Sequence, residues 1–486
     1  MKIWFIEKLK GRWSEEAGYR DFLKLAFPLI LSTGTWTIQH FVNRVFLTWY
    51  SPTAIAASMP AGMLSFALIA LFLGTVTYVD VFVAQYYGAK QYRKIGPALW
   101  QGVYLSIAGG LLILSTLPAA EPVFKFIGHD PAIRHDEIIY YKYLAAASFA
   151  PLLSSVLSGF YSGRGKTWTL VIVNIITITI NIIIDNILIF GKMGFKPMGI
   201  EGSGIATAVS SSVSFLIYLF LITRSGYEKE YATRSGWRPD LALIKRILRY
   251  GFPSGVHFFL DMSGFTIFIL IMGTLGTVPL AATNIAFNIS TLSFMPMLGC
   301  AIAVSILVGQ NLGANRPEIA QKSVWSGFQL TFTYMLIIAC LYLAAPSVFV
   351  GAFAAHANAE SFAEIGLLVT ILLRFVALYS LFDAMNIIFA AAIKGAGDTH
   401  FVMRFIVTAS VVVLIIPSYI ALEIFNLGIF SGWSIASFYI AVLGIVFFVR
   451  FLGGKWKSMR VIERTVPVIP PGLPEDPSAE FPAVVP

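Results

Sequence analysis

The sequence predicts an all-α integral membrane protein with twelve transmembrane helices. These helices form two parallel six-helix repeats, related by a pseudo-two-fold axis along the membrane normal. Three observations predict this fold. The chain of 486 residues has few charged side chains, its apolar runs are long enough to cross a bilayer, and one polar motif occurs twice, 225 residues apart.

The composition argues against a soluble globular protein. Apolar side chains make up 57% of the residues and charged ones 12%, with a mean hydropathy of +0.78. A soluble domain has about 25% charged residues. Because so few charges cannot cover a water-exposed surface of this size, most of the surface must face lipid. The two cysteines, Cys300 and Cys340, lie in separate apolar runs, which argues against a disulfide framework and a metal site.

The apolar runs define the spans in order. About 20 apolar residues suffice for one crossing of the bilayer. The period-2 alternation of a membrane barrel is absent from the sequence, so the backbone must form its hydrogen bonds within helices. The predicted spans are residues 22–49, 54–86, 95–119, 137–162, 167–190, 202–223, 246–274, 279–311, 318–346, 362–393, 400–422 and 432–452.

The positions of the basic residues predict the orientation. The net charge is +9, and most lysines and arginines lie near the termini and in the even-numbered connections, above all in residues 224–249. Connections rich in Lys and Arg stay in the cytoplasm. We therefore expect a multi-pass protein of the inner (plasma) membrane with both termini cytoplasmic. The connections on the other side hold only Lys125, Arg134, Lys142, Lys192 and Lys196. This asymmetry explains the charge, so no nucleic-acid partner is expected.

The repeated motif indicates a duplication. AQYYGAKQYRKIGPALWQG at 84–102 superposes on GQNLGANRPEIAQKSVWSG at 309–327, with Gln85 on Gln310 and Gly88 on Gly313. Further on, SGRGKT at 162–167 resembles KGAGDT at 394–399. We interpret the repetition as structural, with each glycine forming a turn or a helix C-cap. The predicted domains are an N-terminal lobe (1–224), a cytoplasmic linker (225–245), a C-terminal lobe (246–454) and a Pro-rich, disordered cytoplasmic tail (455–486).

These motifs resemble those of the multidrug and toxic compound extrusion (MATE) transporters. Other matching stretches are NIIIDNILIFG at 181–191 and GIEGSGIAT at 199–207, and the resemblance covers roughly residues 20–452. It implies a transporter, not an enzyme, that exports amphipathic, cationic organic compounds by alternating access, coupled to Na+ or H+. We expect no cofactor besides the coupling ion, and a monomer whose partners are the lipid bilayer and a small organic substrate.

Two acids in the C-terminal half are the first candidates for ion coupling. Asp261 lies inside the seventh span, and Asp383 inside the tenth, one turn after Tyr379. A charge at the centre of a spanning helix costs at least about 2.5–3.5 kcal/mol, so such residues usually face a cavity and mark a pathway. The resemblance, closest to the sodium-coupled bacterial type, implies a cation site built from Asp261, Asp383 and Tyr379. Alternatively, the carboxylates only bond to polar neighbours and hold helices together.

The N-terminal half contains a secondary polar cluster of Asn43, Arg44, Asp80, Asn181, Asp185 and Thr207. Asn181 and Asp185 are four residues apart and share a helix face. The resemblance places an acid where this chain has Asn43, so we expect the C-terminal half to carry the coupling ion. Arg44 needs a partner, which Asp80 or Asp185 could supply. Alternatively, Arg44 faces an anionic group of the substrate.

Two other functions compete with export. A flippase for lipid-linked oligosaccharide or another lipid-like substrate shares this architecture, but it should show several cations facing its cavity to hold pyrophosphate. Arg44 and Arg374, which lie deep inside predicted spans, are only two such cations. A membrane-embedded enzyme would need a nucleophile with a base, or a metal site, and the sequence contains neither pattern.

Overall fold

The structure is a computed structural model that describes residues 11–127, 129–354 and 359–463. Within these ranges the regular structure is entirely helical. The twelve predicted spans correspond to α1 Tyr19–Tyr50, α2 Thr53–Gly88, α3 Ile95–Leu114, α4 Pro131–Ser162, α5 Trp168–Phe190, α6 Ile200–Ile222, α7 Leu241–Gly273, α8 Thr277–Gly313, α9 Pro317–Ala344, α10 Ala359–Ala396, α11 Thr399–Ile424 and α12 Ile429–Leu452.

Eleven of the described helices are long and apolar enough to cross a membrane. The exception is α1, which crosses the bundle with them but contains several polar residues, among them Gln39, His40, Asn43 and Arg44. This polarity is the first structural sign that α1 faces something other than lipid.

Local sequence explains the breaks within the helices. α2 bends after Val76 and continues from Val79 to Gly88, and α4 consists of Pro131–Ala147 and Phe149–Ser162. α11 passes into π-helical turns on both sides of Pro417. Proline lacks a backbone N–H and disrupts the regular i→i−4 pattern, which accounts for the wider turns around it.

Each repeat folds as its own lobe, and the lobes meet along four helices. In the N-terminal lobe α5 packs on α1 and α6, and in the C-terminal lobe α10 packs on α8, α9 and α12. Between the lobes α1 packs on α8, and α2 packs on α7 and on α8. α1, α2, α7 and α8 are therefore the walls of any space between the lobes.

The repeated motif forms the contact between the lobes at one end of the bundle. A Cβ on Gly88 would collide with the backbone carbonyl of Gln310, and a Cβ on Gly313 would collide with the carbonyl of Gln85. We call these four residues, Gln85, Gly88, Gln310 and Gly313, the Gln–Gly seam. Each glycine lets the backbone of the other lobe approach closely.

The side chains of the seam repeat the symmetry. Gln85 Nε2 donates to the carbonyl of Gly395 at 3.1 Å, and Gln310 Nε2 donates to the carbonyl of Gly163 at 2.8 Å. Gly163 and Gly395 occupy the same place in the two later motifs, SGRGKT and KGAGDT. Two sequence repeats that seemed separate are thus joined crosswise in one pseudo-symmetric contact.

Of the two expected roles, a turn or a helix C-cap, the glycines come closer to the second, because they end their helices and do not form the turns. The left-handed backbone conformation falls two residues later, on Lys90 (φ 58°) and Asn315 (φ 55°). Gly88 and Gly313 instead end their helices at the seam. The end of the bundle that holds the seam also holds Lys90, Lys94 and residues 224–249, and we call it the basic end.

Two predicted boundary regions contain more structure than the sequence suggested. In the linker, Ser225–Tyr231 is helical and α7 begins at Leu241, where the Asp240 side chain accepts from Ala242 N at 2.9 Å. Residues 455–463, assigned above to the tail, return across the basic end; we call them the strap. Residues 464–486 lie outside the described residues.

The strap contacts both lobes. The Trp456 side chain is buried and stacks on Phe451 at the end of α12. The backbone N–H of Val461 donates to Gln85 Oε1 at 2.9 Å. Glu463 pairs with Arg246 of α7 and, at 3.3 Å, with Lys94 of the N-terminal lobe. The strap therefore ties the seam to the charged residues around it.

Candidate functional site

The strongest polar site lies inside the N-terminal lobe, between α1 and α5. Asn43, Asn181 and Asp185 are buried there, the last two with no exposed surface. With its amide nitrogen directed at the cluster, Asn43 donates to Asp185 Oδ2 at 2.6 Å, to Asn181 Oδ1 at 3.0 Å and to the Gln39 carbonyl at 3.0 Å. The spacing of four residues on α5 places Asn181 and Asp185 on the face that meets α1. We call these four residues the acceptor cluster.

The acceptor cluster holds one more buried acceptor than its amide hydrogens can satisfy. The two hydrogens of the Asn43 carboxamide can serve Asp185 Oδ2 and Asn181 Oδ1, whereas the Gln39 carbonyl lies within α1 and has a backbone partner four residues later. Asp185 Oδ1 is buried with no partner at hydrogen-bond distance, and the neighbouring Ser203 hydroxyl is likewise unpaired. An unpaired buried acceptor is costly, and an unpaired buried charge more so. A proton on Asp185, or a small cation among these oxygens, would relieve the excess.

The other residues of the predicted N-terminal cluster lie apart from these four. The Thr207 carbonyl accepts from Ser210, whose hydroxyl also receives a bond from Asn181 at 3.4 Å, so Thr207 belongs to the second layer. Asp80 accepts from Ser162 at 3.3 Å. Ser210 was missed because serine is common in apolar helices, and nothing in its spacing marks it.

The expected pairing of Arg44 with Asp80 or Asp185 was wrong. Arg44 is exposed, and in the part of the chain that the structure describes no carboxylate lies within 4 Å of it. Consecutive residues point about 100° apart around a helix. Asn43 is directed at α5, so Arg44 turns away from Asp185 toward the space between the lobes.

The C-terminal lobe brings together the two acids that the sequence singled out. Asp383 is buried, and its Oδ1 accepts from Asn386 at 3.1 Å. Asp261 on α7 is partly buried and lies within electrostatic range of Asp383. Tyr379 does not bond to either acid, because its hydroxyl is 2.8 Å from the hydroxyl of Ser290 on α8.

Lys394 is a charged residue of this lobe that sequence reasoning missed. It is the first residue of the KGAGDT motif, and it lies within electrostatic range of Asp261 and of His257 on α7. It follows Asp383 by 11 residues, three helical turns, and so shares its face of α10. That spacing was a signal that the sequence offered.

Aromatic rings line the space between the lobes. Trp36 of α1 lies 5.4 Å from Phe66 of α2, and Phe66 lies 6.0 Å from Phe258 of α7, measured between ring centroids. We call Trp36, Phe66 and Phe258 the aromatic shelf. His40 packs edge-on against Trp36 at 4.9 Å. The shelf joins the two lobes and offers flat apolar surface to a bound molecule.

Comparison with known proteins shows similarity over most of the chain. A "Probable multidrug resistance protein NorM" of Mesorhizobium japonicum is 28% identical over 391 residues, 80% of this chain and 83% of that protein. A Thermotoga maritima protein of the same name is 25% identical over 92% of this chain and 94% of its own length. The "Multidrug resistance protein PmpM" of Pseudomonas aeruginosa is 28% identical over 80% of each chain.

Solved structures share the fold. A MOP superfamily transporter from Pyrococcus furiosus superposes with a TM-score of 0.82 at 20% identity, over 92% of this chain and 98% of that one. A multidrug resistance MATE family transporter in an outward-facing conformation gives a TM-score of 0.82 at 19% identity, over 93% and 99%. These likenesses establish the two-repeat, twelve-helix architecture.

The family comparison reproduces the duplication. The MatE family model matches residues 28–187 and again 253–420. The two matches begin 225 residues apart, which is the offset of the Gln-x-x-Gly-Ala motif. Since these matches cover more than half of the chain, once in each repeat, the chain belongs to the MatE family of transporters.

Proposed function

We propose that the protein is a secondary active efflux transporter that exchanges Na+ or H+ for amphipathic organic compounds. The observation that carries this proposal is the acceptor cluster, in which a buried carboxylate oxygen has no partner. The printed names of its relatives, multidrug resistance proteins of several bacteria, support export as the direction of transport. We place the basic end on the cytoplasmic side of the inner membrane, following the positive-inside rule.

The acceptor cluster gives a physical basis for ion coupling. If the Asn43 amide turns over, its oxygen joins those of Asp185, Asn181 and the Gln39 carbonyl, which together suit a hard cation such as Na+. A proton on Asp185 would relieve the same excess of acceptors. In both cases, the packing of α1 on α5 depends on whether the ion is bound, and α1 also contacts the C-terminal lobe.

The C-terminal acids are a secondary coupling site in this proposal. Asp261 and Asp383 are two carboxylates, but the Lys394 ammonium already offsets part of their charge. The C-terminal lobe therefore needs an external cation less than the N-terminal lobe does. This reverses the order of the two sites that the sequence suggested.

The Gln–Gly seam supports alternating access. The seam closes the basic end through close backbone contact and two amide–carbonyl hydrogen bonds, without an ion pair among its own residues. Transporters built from parallel repeats move one repeat against the other around a central site. We propose that the lobes separate at the seam when the cleft opens to the cytoplasm.

The test uses purified protein in liposomes, loaded with a fluorescent organic substrate. Efflux is measured under an imposed Na+ gradient, an imposed pH gradient and neither, for the native chain and the variants Asp185→Asn, Asp261→Asn and Asp383→Asn. We expect Asp185→Asn to abolish gradient-driven efflux, and the other two to reduce it.

Asp80→Asn is the matched control, because Asp80 is a membrane acid bonded to Ser162 outside the acceptor cluster. It should keep gradient-driven transport. Full coupling in Asp185→Asn would contradict the N-terminal site. No efflux under any gradient in the native chain would contradict the exporter itself.

A further inference from the structure

Arg44 has no explanation in the transport scheme above. It lies in a spanning helix, is exposed, and has no carboxylate within 4 Å among the described residues. An arginine in the hydrocarbon region is costly unless it reaches water or a partner. The residue must therefore face an aqueous space or a membrane surface.

The helix geometry directs Arg44 at the space between the lobes. Thr33, which lies three turns earlier on the same face of α1, donates to the carbonyl of Met295 on α8 at 3.2 Å. Ile30, one turn before Thr33, packs against Gly299 of α8, because a Cβ built on Gly299 would lie 2.6 Å from the backbone nitrogen of Ile30. The face of α1 that carries Arg44 thus meets the C-terminal lobe about midway along both helices, and Arg44 lies farther along that face, where it is exposed.

The walls around Arg44 are aromatic and uncharged. His40, one turn earlier, packs on Trp36, and the aromatic shelf continues through Phe66 to Phe258 in the other lobe. On α8, two turns before Met295, the exposed Asn288 presents a neutral amide. One positive charge therefore lies beside flat apolar surface and near Tyr140 of α4, with no carboxylate within 4 Å in the part of the chain that the structure describes.

We propose that Arg44 binds an anionic group of the transported compound, while the aromatic part of that compound packs on the aromatic shelf. The guanidinium presents a planar fork of donors that matches a carboxylate in two parallel hydrogen bonds. The substrate class is then an amphipathic aromatic carboxylate, instead of the organic cation that the family resemblance implies. This inference rests on the proposed transport function.

The test compares one aromatic fluorophore in two forms, the free carboxylate and its uncharged ester. Binding to the purified protein in detergent is measured by fluorescence polarisation. We expect the native chain to bind the carboxylate more tightly than the ester. Arg44→Gln should weaken binding of the carboxylate about tenfold, equivalent to about 1.4 kcal/mol, and leave binding of the ester unchanged. Arg44→Lys should lose less, since it keeps the charge and loses the fork.

Arg374→Gln is the matched control, because it removes the other arginine that lies well inside a spanning helix. It should bind both forms like the native chain. Equal binding of carboxylate and ester by the native chain, or an Arg44→Gln variant that binds both normally, would overturn the proposal. The second result would assign Arg44 to the lipid headgroups, since α1 ends six residues later at Tyr50.

The same variants separate this inference from the proposed function. Gradient-driven efflux of the ester should persist in Arg44→Gln, because the acceptor cluster is intact. If Arg44→Gln exports the ester and still binds the carboxylate like the native chain, only the role of Arg44 is overturned. If the native chain exports neither compound, the proposed export function itself is contradicted.

Discussion

At the scale of single residues, the asparagine at position 43 decides the chemistry of the acceptor cluster. An amide at position 43 supplies hydrogens to Asp185, whereas an acid at that position would compete with Asp185 for a proton or a cation. Because the nitrogen of Asn43 lies 2.6 Å from Asp185 Oδ2, a second carboxylate at that place could not be ionised together with the first. In the proposed function, residue 43 therefore sets how many ions the cluster binds.

We expect Asn43→Asp to raise the number of coupling ions exchanged per substrate by about one, because two adjacent carboxylates must share a proton or a cation. The measurement is the ratio of ion to substrate flux in liposomes at a series of opposing gradients. Asn174→Asp is the control on α5, since Asn174 bonds to Ser32 and lies outside the cluster. An unchanged ratio in Asn43→Asp would contradict the assignment of coupling to this cluster.

At the scale of helices, the seam depends on two glycines whose place no side chain can take. A Cβ at either position meets a backbone carbonyl that cannot move aside without moving its helix. Overpacking of this kind typically costs about 1–3 kcal/mol. A Cβ at Gly88 or Gly313 destabilises the closed form of the basic end relative to an open form, because only the closed form brings α2 and α8 into contact.

We expect Gly88→Ala or Gly313→Ala to open the basic end. The reporter is Ala84→Cys, in a chain whose own cysteines are replaced by serine, because Ala84 is fully buried against Gly309. Labelling with a membrane-impermeant maleimide should be slow in the native background and at least about tenfold faster in either variant. Gly34→Ala, where a Cβ meets nothing within 4 Å, should not change the rate. Equal rates in all of them would rule out a closing role for the seam.

The helices were predictable because each depends on a run of apolar residues, and all twelve spans were found in this way. The duplication was also predictable, since Gln85 and Gln310 repeat in sequence. What the repeat does was not predictable, because the crosswise bonds to Gly395 and Gly163 join residues from opposite lobes. The same limit explains Arg44, whose surroundings come from helices distant in sequence.

At the scale of the whole molecule, the strap holds the lobes together by charge. Partial burial alone would raise the pKa of Glu463. The hydrogen bond from Arg246 and the charges of Arg246 and Lys94 outweigh burial and lower that pKa from 4.5 to about 2. A lowered carboxylate pKa stabilises the folded contact above about pH 4.5, and this contribution is lost only as the pH falls through about 2. The Glu463 carboxylate therefore does not titrate between pH 5 and 8.

We expect Glu463→Gln to loosen the basic end by about twofold in the Ala84→Cys labelling rate, in keeping with a partly exposed ion pair. The pH dependence of transport between pH 5 and 8 should stay the same. Glu318→Gln is the control, because Glu318 pairs with Lys457 at 3.1 Å within the C-terminal repeat and does not bridge the lobes. A shifted pH profile in Glu463→Gln would show that the strap takes part in proton sensing.

The reciprocal contact of the seam has a consequence for the origin of the chain. In an isologous interface of a symmetric dimer, residue i of one subunit meets residue j of its copy, and j meets i. Gln85 with Gly313 and Gln310 with Gly88 obey this relation within one polypeptide. A six-helix ancestor carrying Gln-x-x-Gly once could therefore have closed the same contact with a second copy of itself, before gene fusion joined the two subunits.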